Sequence, residues 1–480
     1  MIRSLRYLLS GFAVLSLLLS CKGGDEGTLV LRSDDDLRGL TVACTNGNYY
    51  EHKYSAREDV TVFAANSEAD ALQAVRQGIA DVFVSDEIVL SDADMKRLGV
   101  RKALRGEESF EVAFALRKGE SVLMRQLNEF IAAAPIDGIV AHWVEGAPAV
   151  PDAIPAVPPD AAPLRCITGL NMEPVCYFGD GGQWKGMDVE ILQRFAASVG
   201  RSLEITFQDL GAAVIALQAG QADLVFGCLF ATDERRQSVD FSDPYFRCHP
   251  AYFVLDKGAG SKPSLKERLR MNFATENRWK LVTDGLLETV KITIFSILLG
   301  TLLGAGICAA KRSRRRWIRG LAGLYDDFIN GIPTLVLLLI MFYVVFSGSG
   351  LSGSLVAIVT FGLCFASSAG SIFDTSISSV PRGQTEAGLS LGFTPLRTFA
   401  GIVLPQAMKK GLPLYAGECV SLLKNTSIVG YIAVQDLTRA SDLIRSRTFD
   451  ALIPLLVVTV LYFVLAWLIQ RLLNLFLRKK

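Results

Sequence analysis

The chain has 480 residues, too many for one hydrophobic core and enough for about two to four modules. Half of its residues are hydrophobic, and 49 basic side chains against 48 acidic ones leave a formal charge of +1, which gives no electrostatic reason to expect nucleic-acid binding. Residues 1–280 read as soluble, whereas 285–475 hold long apolar runs with almost no internal charge, and this excludes a purely cytosolic enzyme.

The chain starts with Arg3 and Arg6 ahead of an apolar stretch, Leu8 to Leu19, that is short for a bilayer span and ends in Leu18-Leu19-Ser20-Cys21. A basic start, a short apolar centre and small residues before a cut make an export signal over 1–21. Its end resembles a bacterial lipobox, which implies that Cys21 is diacylated and becomes the mature N-terminus. The plainer alternative is an uncleaved anchor with an incidental cysteine, but polar Lys22-Gly23-Gly24-Asp25 follows at once. In both cases the next stretch is expected outside the cytoplasm. Cys166, Cys176, Cys228 and Cys248, of the nine cysteines, fall within one segment of that exported part, where a disulfide is permitted and buried thiols are an equal alternative. With no CxxC and three histidines, a zinc site is not expected.

From Asp36 to Gly146, β-rich runs (40–44, 60–63, 81–85, 111–116) alternate with helical patterns (67–77, 121–133), which predicts a mainly parallel sheet covered by helices. Residues 147–163 then carry six prolines among alanines and acids, the composition of an extended tether. Strands near 164–168, 203–207, 223–227 and 251–255 repeat the first theme. An internal echo joins the two parts: Ala71-Leu72-Gln73-Ala74 leads to Gly78-Ile79-Ala80-Asp81, and Ala216-Leu217-Gln218-Ala219 leads to Gly220-Gln221-Ala222-Asp223. In each, a helix stops at glycine and a strand begins two residues later. The fold expected is a two-lobed α/β domain, with lobes at 36–146 and 164–257.

The stretches DLRGLTVACTNG (36–47), MDVEILQRFAASVG (187–200), ALQAGQADLVFG (216–227) and ATDERRQSVDFSDPYF (231–246) resemble the periplasmic solute-binding proteins of polar amino-acid ABC importers. In that family the lobe with the TxER stretch comes first. Here it comes second, which implies a circular permutation; two truncated copies are the alternative. The resemblance implies Arg235 as the fork for a ligand carboxylate, Asp86 as the ammonium acceptor and Gly47-Asn48 as a backbone-donor turn at a helix start. Cys228, Phe230 and Thr232 complete the expected ligand-binding set. Read without the family, Asp86 is a helix N-cap before Glu87 and Arg235 a solvated charge. The family's usual hydroxyl residue five positions before the arginine is Phe230 here, and its aromatic turns read Pro174-Val175 and Asp209-Leu210, so the side-chain pocket departs from the usual aromatic sandwich.

Five apolar runs follow, near 290–310, 328–347, 354–373, 412–434 and 452–473, and define an all-α transmembrane domain over 285–475. Glu418 and Lys424 interrupt the fourth. Basic clusters after the first run (Lys311 to Arg319) and the last (Arg478, Lys479, Lys480) place those ends inside. Between the third and fourth runs, EAGLSLGFTPLRTFAGIVLP (386–405) resembles the EAA loop of ABC import permeases, and SLLKNTSIVGYIAVQDL (421–437) their histidine/glutamine-type subfamily. The resemblance implies a cytoplasmic helix–turn–helix that docks on an ATPase through Glu386, Ala387, Gly392 and Phe393. An acid and an arginine usual late in the third span correspond here to Ser371 and Asp374.

No phosphate-loop spacing occurs; GAGSKPS (258–264) lacks it. The expectation is a transporter subunit without an ATPase motif or cofactor of its own, in which ATP is used by a separate ABC ATPase. It is expected to take a small polar solute, most simply an amino acid, to sit in the cell inner membrane with the binding domain outside, and to form a homodimer. Two alternatives remain at this point: a ligand-sensing receptor whose degenerate binding domain regulates a membrane partner, and a dehydratase-like enzyme on the same fold, for which no convergent acid–base pair is present.

Overall fold

The computed structural model describes residues 29–478 except 151–152, 159, 180–182, 209, 257–263 and 347–348. The expected export signal over 1–21, with Cys21, lies outside the described residues. The chain divides into two compact units, and the chain passes from the first to the second at Phe110–Glu111 and returns at Arg247–Cys248.

In the first unit, β1 (Thr41–Thr45), β2 (Thr61–Ala65) and β3 (Val82–Asp86) run parallel, and β4 (Val100–Arg105) completes a five-stranded sheet with β14 (Pro250–Leu255), in the order β2-β1-β3-β14-β4. Strand centres are apolar on both faces (Val42, Ala43 and Cys44; Val82, Phe83 and Val84 are all buried) because helices cover the sheet. Those helices are α1 (Tyr49–Ser55), α2 (Glu68–Arg76) and α3 (Asp92–Leu98). Each begins at a side-chain cap: Asn48, Ser67 and Ser91 accept the N–H of the residue three positions on.

The second unit contains a lobe and the membrane part. The chain enters it through β5 (Phe110–Val112) and β6 (Ala115–Leu116), then α4 (Ser121–Ala133) and α5 (Ile136–Glu145). Between 147 and 162 the described residues form neither helix nor strand, as the prolines predict. The lobe continues with β7 (Pro163–Thr168), the β8–β9 hairpin (Tyr177–Phe178, Trp184–Lys185), α6 (Met187–Ser198), β10 (Ser202–Phe207), α7 (Leu210–Gln218), β11 (Leu224–Phe226), α8 (Asp233–Arg236), β12 (Asp240–Phe241) and β13 (Phe246–Cys248). Its sheet has the order β10-β7-β11-β6-β12.

The internal echo has a structural counterpart. Asp81 accepts the Thr41 N–H at 2.8 Å, and Asp223 accepts the Arg165 N–H at 3.0 Å, so the acid ending each GxAD pins the neighbouring strand in its own sheet.

The sheets assign the chain differently from the contiguous lobes expected at 36–146 and 164–257. β14 pairs antiparallel with β3 and β4 of the first unit, while β6 pairs with β11 and β12 of the second. Strand pattern reveals that a segment is extended, but its partner is chosen by long-range pairing. Thus 111–146 and 248–256 change places.

The membrane part opens with α9 (Leu265–Leu269) and α10 (Trp279–Lys311), followed by α11 (Arg316–Gly331), α12 (Thr334–Ile340), α13 (Gly353–Ser378), α14 (Arg382–Ser390), α15 (Pro395–Thr398), α16 (Leu404–Asn425), α17 (Leu437–Thr448) and α18 (Leu452–Arg478). Among the described residues, three helices are long and apolar enough to span a bilayer: α10, α13 and 452–473 of α18. The expected second span is broken, since α11 and the helix that starts at Thr334 meet at 102° where Ile332-Pro333 interrupts the ladder. The expected fourth, 412–434, is not one apolar helix. α16 carries Lys409, Lys410, Glu418 and Lys424 and gives way to a 3-10 turn at Thr426–Ile432. The α10–α13 seam is built on small residues: a Cβ on Gly300 would stand 2.7 Å from the Gly362 carbonyl, and one on Gly304 2.9 Å from Ala369 Cβ.

Candidate functional site

Ligands of open α/β sheets meet the carboxyl ends of the strands, which in the first unit are Thr45 on β1 and Asp86 on β3. Gly47 and Asn48 form the turn from β1 into α1, with Gly47 at φ +74° and Asn48 capping the helix. Asp86 accepts the Tyr50 hydroxyl at 2.7 Å, which ties it to α1. The N-cap alternative for Asp86 fails, because α3 begins at Asp92 behind its own cap, Ser91. Glu51 reaches back from α1 so that its carboxylate accepts the Gly47 N–H at 2.5 Å, already using one donor of the expected anion turn. The structure therefore groups Asp86, Gly47 and Asn48 at one sheet edge.

Glu68 was not anticipated. As the first residue of α2 it sits where β2 hands over to helix, at the same edge. Its Oε2 is buried, as is Thr45 Oγ1, and the hydroxyls of Thr45 and Ser85 stand beside its carboxyl. Burial and the adjacent charge of Asp86 push the Glu68 carboxyl up to about 7. The only signal in the sequence was an acid at a helix start, which reads as an ordinary first-turn residue.

In the second unit the TxER stretch folds as a short turn of helix. The Thr232 hydroxyl accepts the Arg235 N–H at 3.4 Å, and Arg235 Nη1 approaches the Phe230 carbonyl at 3.4 Å. Phe230 is buried, at 5% exposure, and its backbone bridges to Val112. The side chain standing in place of the family's hydroxyl is thus packed away, while its carbonyl holds the arginine. Cys228 sits at φ +53° and donates its N–H to Asp188 at 3.4 Å. Burial pushes the Asp188 carboxyl up to about 7, a second perturbed acid that sequence left unnoticed inside the MDVE helix. Arg235, Thr232, Cys228 and Phe230 are brought together within this lobe. The described cysteines, Cys166, Cys176, Cys228 and Cys248 among them, are free thiols.

The 386–405 stretch forms the expected helix–turn–helix. α14 ends at Ser390, Gly392 takes φ +83°, and Thr394 caps the next helix. Gly388 is buried against Thr398 and Ile402, which closes the corner. Glu386 and Ala387 are exposed. Leu391 is 74% exposed, Leu396 77% and Phe393 45%, apolar side chains left uncovered by the described residues.

Residues 164–412 match the family described as bacterial extracellular solute-binding proteins, family 3. The L-cystine transport system permease protein TcyB of Bacillus subtilis (strain 168) is 31% identical over 195 residues, which cover 40% of this chain and 83% of that protein. The probable amino-acid ABC transporter permease protein YckA of the same organism is 33% identical over 182 residues, covering 38% of this chain and 80% of its own. A crystal structure of an amino acid ABC transporter with histidines is 28% identical, covers 46% of this chain and 100% of that one, and superposes with a TM-score of 0.41.

Proposed function

Because the chain belongs both to family 3 of the bacterial extracellular solute-binding proteins and to the amino-acid ABC transporter permeases, we propose that it captures a small polar amino acid in its two-lobed part and passes it through its own membrane part, driven by a separate ATPase. It is a transporter subunit rather than an enzyme. The observation that carries the energy-coupling half of this reading is the uncovered apolar corner of Leu391, Phe393 and Leu396 beside exposed Glu386 and Ala387. Such a corner is unfavourable in water and suits a partner groove. The ATPase would grip it and transmit its own closure to the helices on either side.

At the solute end, Asp86 supplies a carboxylate for the ligand ammonium, and Arg235, held by the Phe230 carbonyl, the cation for its carboxylate. A ligand carboxylate that used the Gly47 donor would displace Glu51. The inverted order of the TxER and DLRG stretches is read as a circular permutation, with 147–163 joining the former ends. One such membrane part is half of a permease pair, so the assembly is a homodimer in the cell inner membrane, with the binding lobes outside and Cys21 as lipid anchor.

The test is a thermal-shift screen of the purified full chain in nanodiscs against the twenty amino acids and L-cystine, followed by reconstitution with an ABC ATPase in liposomes. One class of amino acid should raise the melting temperature, and labelled solute should accumulate only with ATP. Ligand-stimulated ATPase activity without accumulation would move the chain to the sensor reading, and accumulation without any ATPase would overturn the proposal.

A further inference from the structure

α17 is a polar helix with Arg439, Arg445 and Arg447, yet half of its twelve residues are buried. The lobe of residues 111–247 accounts for part of that burial. Asn171, 3% exposed, donates from Nδ2 to the Leu443 carbonyl at 2.8 Å and to Ser446 Oγ at 3.0 Å, while its Oδ1 accepts the Phe178 N–H at 2.9 Å. Arg439 lies 4.0 Å over the Phe207 ring and donates to the Phe207 carbonyl at 2.8 Å. Arg447 lies 4.6 Å over the Tyr177 ring and is clamped between two carboxylates, Glu173 of the lobe and Glu276 of the segment before α10, the latter at 3.0 Å. Away from α17, Gln221 donates to the Phe342 carbonyl at 2.9 Å, and Tyr343 packs against the apolar core of the lobe.

These contacts pair most of the buried polar groups, while Arg447 Nε and Gln221 Oε1 are buried without a hydrogen-bond partner among the described residues. Each buried amide or guanidinium meets a carbonyl, a carboxylate or an aromatic face, the pairing that makes desolvation tolerable. Burial works against the charge on Arg447, but Glu173 and Glu276 outweigh it and raise its pKa further. The Arg447 end is also braced from behind. Arg268 and Asn272 donate to Asp450, both at 2.9 Å, and Thr448 donates to Asn272 at 2.7 Å. With Tyr343 packed against the lobe's core, the contact has an apolar part as well as its charged and polar ones.

We propose that the lobe of residues 111–247 is seated on α17 before any solute binds and stays there, with Arg447 as the keystone. The receptor lobe then neither leaves nor rejoins the membrane part within a cycle. This meaning rests on the transporter reading; the contact itself is testable without it.

A protease site is inserted among residues 258–262 of the full chain, and the protein is cleaved in nanodiscs with no amino acid present. The fragments 1–257 and 264–480 should co-elute. The triple variant Asn171→Ala, Arg439→Ala, Arg447→Ala should weaken their association about a hundredfold, so that they separate at micromolar protein, with the lobe fragment retaining its melting transition. As a second measurement in the uncleaved chain, Asn171→Cys with Ser446→Cys should form a disulfide to the same yield with and without L-cystine-free amino-acid mixture. Wild-type fragments that separate, variant fragments that stay together, or a disulfide that appears only with amino acids would each overturn the proposal. Co-elution alongside a failed transport assay would remove the importer reading and leave the seat intact.

Discussion

Replacing Glu68 with glutamine isolates the cost of burying a carboxylate there, next to the charge of Asp86. The carboxyl is pushed from an ordinary 4.5 to about 7, a difference of about 2.5 units, or about 3 kcal/mol at 1.36 kcal/mol per unit. The folded state binds the proton more tightly than the unfolded chain, so the stability it contributes is complete below pH 4.5 and is lost as pH rises through 7. Glutamine keeps the neutral shape and removes the titration. At pH 5 the variant and wild type should therefore be nearly equal. At pH 8 the variant should be more stable by about 3 kcal/mol, a protection factor about two orders of magnitude higher. Hydrogen exchange of the β1 amides, Val42 to Thr45, read by mass spectrometry on both proteins at each pH, measures this within the first unit. Equal protection at pH 8, or a more protected wild type, would refute the assigned proton on Glu68.

Three other outcomes follow from particular contacts. Gly300→Leu drives a side chain into the Gly362 carbonyl 2.7 Å away and should destabilise the membrane part by about 1–3 kcal/mol, seen as a lower melting temperature in nanodiscs. Gly392→Val meets no steric neighbour but must hold φ +83°, so it should cost about 1–2 kcal/mol locally and lower affinity for the ATPase about tenfold, measured by co-purification titration with the melting temperature unchanged. Asp86→Asn and Arg235→Ala should each weaken binding of the best amino acid about a hundredfold in calorimetry; unchanged affinity in both would remove them from the site.

Periodicity and turn chemistry made most elements legible. The glycine-ended helices before Asp81 and Asp223, the proline tether and the Gly392 corner are local signals, and each is found where its residues stand. Partner choice was not local. Ala251–Leu255 and Ala115-Leu116 read correctly as extended, yet each crossed to the sheet opposite the one its neighbours in sequence suggested, because pairing is settled by distant strands. The membrane spans misread for a related reason. Hydropathy counts apolar residues but does not see that Pro333 turns the chain by 102° or that α16 keeps four charges along its length. Glu68 and Asp188 were invisible as perturbed acids, since their environment comes from strands far along the chain. Nothing local marks Arg447, because its two carboxylates lie 274 and 171 positions away.

The glycine seam between α10 and α13 has a further implication. Backbones this close exclude even a water molecule, so these two helices form a solid wall instead of the two sides of a channel. Any route for cargo therefore runs along other faces of these helices or between other pairs, and not through their seam.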